Sequence, residues 1–150
     1  MLEQLAKLIG ADQVVDDAET LAAYRFDRWC LKHWQDWRGE AMSTAACVVR
    51  PRHTNDVQAV VRYAQKNGIP IVPWGLGSGV CGGIEPTDAQ ILIDMSAMDQ
   101  VLAIDEENLL LTVEAGINGL VAEEAVAAVG LTIGHWPQSI GISSVGGWIS

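Results

Sequence analysis

Two stretches of this chain combine glycine, hydroxyl side chains and a complete lack of charge, which is the composition for holding an anion on backbone amides. The first is Pro73-Trp74-Gly75-Leu76-Gly77-Ser78-Gly79-Val80, continuing through Cys81 to Gly83, and residues 69–84 contain no Asp, Glu, Lys or Arg. Successive glycines bend the backbone so that several N–H groups converge on one point, a nest that takes phosphate without a cationic side chain. Each charge-assisted bond is worth about 1.5–3 kcal/mol, so about three or four of them hold a diphosphate. Ser78 adds a hydroxyl, and the missing Cβ atoms permit close approach. The plainer alternative is a glycine-rich loop that only turns the chain. Gly77 to Gly82 also matches G-x-G-x-x-G, with Asp94 placed 17 residues after Gly77, near the position of a Rossmann ribose-binding acid. That reading needs a helix between loop and acid. The seven residues IEPTDAQ, with a proline among them, are all that separate Gly83 from Ile91, and no crossover helix fits there.

The second stretch is Pro137-Gln138-Ser139-Ile140-Gly141-Ile142-Ser143-Ser144-Val145-Gly146-Gly147, inside an uncharged run from Ala125 to Ser150. It repeats the ingredients of the first: a proline entry, hydroxyls, small residues and a double glycine. Two such loops would clasp one extended ligand from two sides. Other residues with chemical potential read as structural. His135, beside Trp136, is expected to make a structural hydrogen bond, since nothing nearby would set its pKa. Glu114 ends a strand, Arg25 and Arg28 read as a solvated helix end, and Cys81 as a small packing residue. His33, His53 and His135 are scattered without metal-ligand spacing. No catalytic acid or base is expected within these residues.

The elements that position the loops follow from periodicity. Residues 2–9 form an amphipathic helix closed by Gly10, and Asp16 or Asp17 caps a second helix through Tyr24. The next stretch, RFDRWCLKHWQDWRGE, has no clean period and reads as irregular. Ala46–Val49 is a strand ended by Pro51. Thr54 reads as the N-cap of a helix in which Val57, Val60, Val61 and Ala64 recur at helical spacing, stopped at Asn67-Gly68. Ile69–Pro73 and Ile91–Asp94 are buried strands. Val101–Asp105 and Leu109–Glu114 flank a tight turn at Glu106-Glu107-Asn108. Leu120–Val129 is a helix closed by Gly130, and the last residues begin a further strand short of partners. This order makes a mixed α+β domain.

Charge narrows the partners. All nine Lys and Arg lie in the first 66 positions, balanced there by nine acids, while the remainder carries ten acids and no Lys or Arg, for a net charge of −10. Nucleic acid and anionic membrane surfaces need clustered cations and are not expected as partners. The long uncharged run is rich in Gly, Ser and Pro, so no integral membrane segment is expected. Three widely spaced cysteines, Cys30, Cys47 and Cys81, read as free buried thiols of a cytoplasmic protein. Of the six tryptophans, four fall in loops or irregular segments, where they read as satellite packing.

Taken in order, RPRHTNDVQAVVRYAQKNGIPIVPWGLGSGVCGG, ILIDMSAMDQVLAIDEENLLLTVEAGI and GHWPQSIGISSVGGWIS resemble the flavin domain of the vanillyl-alcohol oxidase and p-cresol methylhydroxylase superfamily. The likeness is greatest to its alkylglycerone-phosphate synthase branch, with D-lactate and glycolate dehydrogenases next. It implies an N-terminal helical and irregular arm, 1–45, and a PCMH-type FAD-binding domain, 46–150, a mixed sheet with flanking helices in two subdomains, incomplete at its C-terminus. It implies that Pro73 to Val80 cradle the FAD pyrophosphate. Gln138 to Ser144 then approach the flavin and its ribityl side, with Gly146 and Gly147 allowing close packing. Relatives that tether FAD often place a His in the first loop; Ser78 and Gly79 stand here, so noncovalent FAD is implied. Trp74 replaces an Arg or a smaller apolar residue. The function implied is oxidation of a small D-2-hydroxy acid by hydride transfer to FAD. The alternatives are an alkylglycerone-phosphate synthase-like exchange or a non-catalytic nucleotide- or anion-binding module. The substrate pocket and catalytic residues are expected beyond residue 150, and a homodimer is the assembly expected of the full-length protein.

Overall fold

A computed structural model describes residues 1–150. Its main sheet has four strands in the order β1 (Val14–Val15), β2 (Cys47–Val49), β4 (Ile91–Asp94), β3 (Ile71–Trp74). β2, β4 and β3 are parallel, and β1 adds antiparallel at the β2 edge. The hydrophobic run of each parallel strand is divided between the faces by the two-residue alternation of side chains. Cys47, Val49, Ile91 and Ile93 point to one face, where α1 (Leu2–Ile9) supplies Leu5 and Ile9 and α4 (Thr54–Asn67) supplies Val60 and Ala64. Ala45, Val48, Val72 and Leu92 form the other core, covered by Leu21 of α2 (Ala18–Ala23), Tyr24, Trp74 and Ile84. Burying each large aliphatic side chain is worth about 1.5–3 kcal/mol, enough to hold a sheet of short strands.

α4 crosses from β2 to β3, leaving room for β4 between them. The parallel β3–β4 pair is joined by residues 75–90 without a helix, as the seven-residue spacing required. A second unit follows: the antiparallel hairpin β5 (Val101–Asp105) and β6 (Leu110–Val113), then α5 (Gly119–Ala127). Its turn takes in Leu109, at φ 55, one residue more than the expected turn.

Several expectations change. RFDRWCLKHWQDWRGE contains a helix, α3 (Cys30–Trp37); Cys30, Trp34 and Trp37 recur at helical spacing, but none of its residues is buried. It is held by side-chain contacts at its surface: Lys32 with Glu85, Asp36 with Arg25, and His33 edge-on to Phe26 at 5.0 Å. Arg25 is no solvated end; it pairs with Asp36 at 2.8 Å and lies over the Phe26 ring. The N-cap of α4 is His53 rather than Thr54, since Asp56 Oδ2 accepts the N–H groups of Arg52 and His53 at 3.0 and 3.1 Å. Gly68, at φ 65, stops that helix as expected. α5 starts at Gly119 and ends at Ala127, with Asn118 as its cap. The last residues form a short helix, α6 (Val145–Ile149), capped by the Ser144 side chain on Gly147 N, and not a strand. Only Cys47 is a buried thiol; Cys30 and Cys81 are exposed, so Cys81 does not serve packing. Trp37, at 82% exposed, and Trp136, at 62%, do not pack as satellites either. No helix is long and apolar enough to cross a membrane.

Candidate cofactor-binding site

The first loop leaves the sheet at the carboxyl end of β3, beside the carboxyl ends of β2 and β4, the edge at which open α/β sheets take ligands. Leu76 to Gly82 lie outside every helix and strand, and none of their seven backbone N–H groups donates to a protein acceptor. The loop is half-exposed to exposed and uncharged. Such a run leaves the amides available to a ligand, as in the candidate anion cradle that the glycine spacing suggested.

The shape of that cradle is set from below by the protein's own side chains. An added Cβ at Gly77, which sits at φ 67, would fall on the indole of Trp74. Likewise, one at Gly82 would fall on the indole of Trp29, and one at Gly79 would lie 2.7 Å from Asp27 Oδ2. The glycines are therefore required because side chains occupy their Cβ positions, and any ligand comes from another side. Trp74 is fixed in turn by Tyr24, with ring centroids 4.9 Å apart and nearly edge to face.

Beside the sheet edge lies a part-buried polar cluster centred on the buried Asp94. Tyr24 donates its hydroxyl to Asp94 Oδ2 at 2.7 Å, Arg50 donates to the Tyr24 oxygen at 3.1 Å, and Ser96 N donates to Asp94 Oδ1 at 2.9 Å. Arg50 Nε also stands 3.5 Å from Asp94 Oδ2. Burial, and then the hydrogen bond to Asp94, pushes the Tyr24 hydroxyl above its usual pKa. The Tyr24 hydrogen bond raises that of Arg50. Asp94 is thus a structural acid, not a ribose ligand.

The second loop is stitched to residues 115–119 through the backbone. Gly119 N donates to Ser143 O at 2.9 Å, Val145 N to Ile117 O at 3.0 Å and Gly146 N to Ala115 O at 2.9 Å. Asn118 caps α5 by accepting from Leu120 N at 2.9 Å and donates Nδ2–H to Gly141 O at 2.9 Å. The Ser143 hydroxyl accepts from Trp148 Nε1 at 2.7 Å and donates to Ser139 O at 2.9 Å. Gly146 allows the close approach expected of it, because a Cβ there would lie 2.6 Å from the Ala115 carbonyl. Ser143 and Ser144 are almost wholly buried, yet their backbone N–H groups meet no protein acceptor.

The two loops meet where Gly75 packs against the Ser144 hydroxyl, so closely that a Cβ on Gly75 would overlap it. Of the sequence-derived site residues, Gly75 and Ser144 are in direct contact. Pro73 and Gln138 are exposed or at the margins. His135 is exposed and makes no hydrogen bond; its ring packs edge-on to Trp148 at 4.8 Å, contrary to the structural bond expected. Glu114 is structural as expected, its carboxylate accepting from Gln100 N at 3.0 Å. Asp27 and Trp29 went unrecognised, because nothing in their spacing announces that they lie under glycines about 50 residues away. An apolar cavity of about 740 Å³ lies between the hairpin, α5 and α6, lined by residues such as Leu110, Val126 and Trp148 and reaching the second loop at Val145.

A sheet edge carrying two uncharged, amide-rich loops that touch defines a nucleotide-binding α/β domain. The family is then specified by comparison: residues 45–150 match the FAD binding domain model, and the chain belongs to that family. It is 30% identical to alkyldihydroxyacetonephosphate synthase of Trypanosoma brucei brucei, over 99% of this chain and 25% of that protein. It is 32% identical to glycolate oxidase subunit GlcD of Bacillus subtilis, over 99% of this chain and 30% of that protein. A solved alkyldihydroxyacetonephosphate synthase superposes with a TM-score of 0.91 at 28% identity, covering 98% of this chain and 28% of that one. p-Cresol methylhydroxylase, at TM-score 0.77 and 19% identity, shares the fold. The fold is therefore PCMH-type, and the chain spans between a quarter and a third of the relatives' length.

Proposed function

We propose that this chain is the FAD-binding portion of a flavoenzyme that oxidises a small D-2-hydroxy acid. The observation that carries the reading is the run of seven unpaired amides from Leu76 to Gly82, next to a second loop whose buried Ser143 and Ser144 amides are also unpaired. Pro73 to Val80 bind the diphosphate, with Leu76 to Val80 donating backbone N–H groups and Ser78 its hydroxyl. Pro137 to Ser144 line the flavin side, and Gly146 and Gly147 let that segment pack close. FAD, when bound, supplies the hydride acceptor. The protein's part is to hold it in a shape set by Trp74 and Ser144 and to exclude water from the diphosphate. The first loop has Ser78 and Gly79 and no His for a covalent tether, which supports noncovalent attachment. The hydroxy-acid substrate is inferred from glycolate oxidase subunit GlcD and from a probable D-2-hydroxyglutarate dehydrogenase of rice at 26% identity. Three free thiols, two of them exposed, fit a reducing compartment, and we place the protein in the cytoplasm.

A second reading rests on the TM-score of 0.91 and the 30% identity to alkyldihydroxyacetonephosphate synthases: a flavoenzyme exchanging groups on an alkylglycerone phosphate without net oxidation. The purified protein is expected to be yellow and to bleach on anaerobic addition of D-lactate or D-2-hydroxyglutarate. A yellow protein that stays oxidised with both favours the second reading. Colourless protein that takes up no added FAD removes both and leaves a non-catalytic binding module.

A further inference from the structure

The phosphate loop is gripped by a residue outside the matched family domain. Asp27 precedes residues 45–150, is 2% exposed and has no cation within ion-pair distance. Its negative end is met by backbone instead: Oδ1 accepts Trp29 N–H at 2.9 Å and Oδ2 accepts Gly83 N–H at 3.1 Å. The next residue, Arg28, donates its backbone N–H to Gly79 O at 2.8 Å. Gly79 lies flush against the carboxylate, and Trp29 lies flush against Gly82. Both ends of Gly79–Gly83 are thus tied to one short piece of the arm, and none of these ties uses an amide between Leu76 and Gly82.

A glycine-rich segment loses more conformational freedom on ordering than any other, and ordering done at the moment of binding subtracts from affinity. A buried carboxylate that accepts two amide bonds does that ordering in advance, and bonds to a charged acceptor are the stronger kind. We propose that Asp27 is a positioning residue for the diphosphate cradle, holding Gly79–Gly83 in its binding shape before FAD arrives. This rests on the reading of the first loop as the cradle. Asn in its place keeps one acceptor oxygen and turns an NH2 group toward an amide N–H. Ala at position 79 crowds the same carboxylate from the loop side without touching position 27.

The test is titration of FAD into the flavin-free protein, followed by flavin fluorescence, with riboflavin as a second probe that has the ring but no phosphate. Asp27→Asn and Gly79→Ala are each expected to weaken FAD by about 30-fold. Riboflavin binding to the folded fraction, which the urea midpoint of the flavin-free protein defines, should move little, so the preference for FAD over riboflavin narrows. If Asp27→Asn does not fold, Gly79→Ala decides alone. Wild-type FAD affinity in the variants, or a loss shared equally by riboflavin, overturns the proposal. A wild-type protein that binds no FAD overturns the cradle reading and this proposal with it. If Gly77→Asp abolishes FAD binding while Asp27→Asn and Gly79→Ala leave it intact, the cradle stands and Asp27 alone is excluded.

Discussion

The two glycine loops look alike in sequence and are held by opposite means. The first, Gly75 to Gly83, has almost no backbone partners; the adjoining Trp74 and, from far along the chain, Asp27 and Trp29 fill the space where its Cβ atoms would be. The second, Pro137 to Gly147, is fastened by its own backbone to residues 115–119 and by the Ser143–Trp148 bond. The lesson is about spare amides. A loop whose N–H groups are consumed in fastening it has few to offer a ligand, whereas a loop shaped by side-chain packing keeps most of them, here Leu76 to Gly82. The proposed roles follow this difference: the first loop as the anion site, and the second as a wall that adds the amides of Ser143 and Ser144.

The sharpest way to break this contrast is Gly77→Asp. A side chain there is strained at φ 67, collides with Trp74 and puts a carboxylate beside the phosphate position. Flavin should be lost entirely while far-UV circular dichroism is preserved, and wild-type flavin content in the purified variant would show that the first loop is not the cradle. Gly146→Ala probes the second loop, where the added Cβ lies 2.6 Å from a backbone carbonyl that cannot swing away. It should cost about 2 kcal/mol by urea unfolding, with flavin retained in the folded fraction. A neutral result would mean that the second loop is not rigidly stitched.

A third measurement concerns the sheet that carries the first loop. Burial pushes the Cys47 thiol up to about 11 from 9.0. Because the folded value is the higher, this contribution is complete below pH 9 and is lost as pH rises through about 11. Stability should fall by on the order of 1–2 kcal/mol across that window, and Cys47→Ala should flatten that part of the pH profile. An unchanged slope in Cys47→Ala would assign the titration to another group, with Tyr24 next in line. The smallest effect is expected from Trp148→Phe, which removes the donor to Ser143 and should cost about 1 kcal/mol with little change in FAD affinity. A large loss of flavin there would make the second loop the more important binding element.

The strands and most helices were legible because their signals are local. Val60 and Ala64 repeat at helical spacing, Gly68 stops the helix at positive φ, and the run ILID reads as a buried parallel strand. The glycine loops were legible as well, since absence of charge and glycine spacing are properties of composition. α3 was not: its apolar Cys30, Leu31, Trp34 and Trp37 are interleaved with charged residues, and the fold buries none of them. The two-residue β1 was too short to show any alternation. The contact between Gly75 and Ser144 joins residues whose meeting depends on the whole fold, and the setting of Asp27 under Gly79 does so too.

The sequence by itself determined the family and the two uncharged glycine loops: no Lys or Arg follows residue 66, so neither loop carries a cationic side chain of its own. Tertiary structure alone decided which amides stay free and which residues shape them. Glycine spacing tells where a backbone can bend. What fills the space beside each glycine is a matter of packing between segments distant in the chain, and neither composition nor period encodes it.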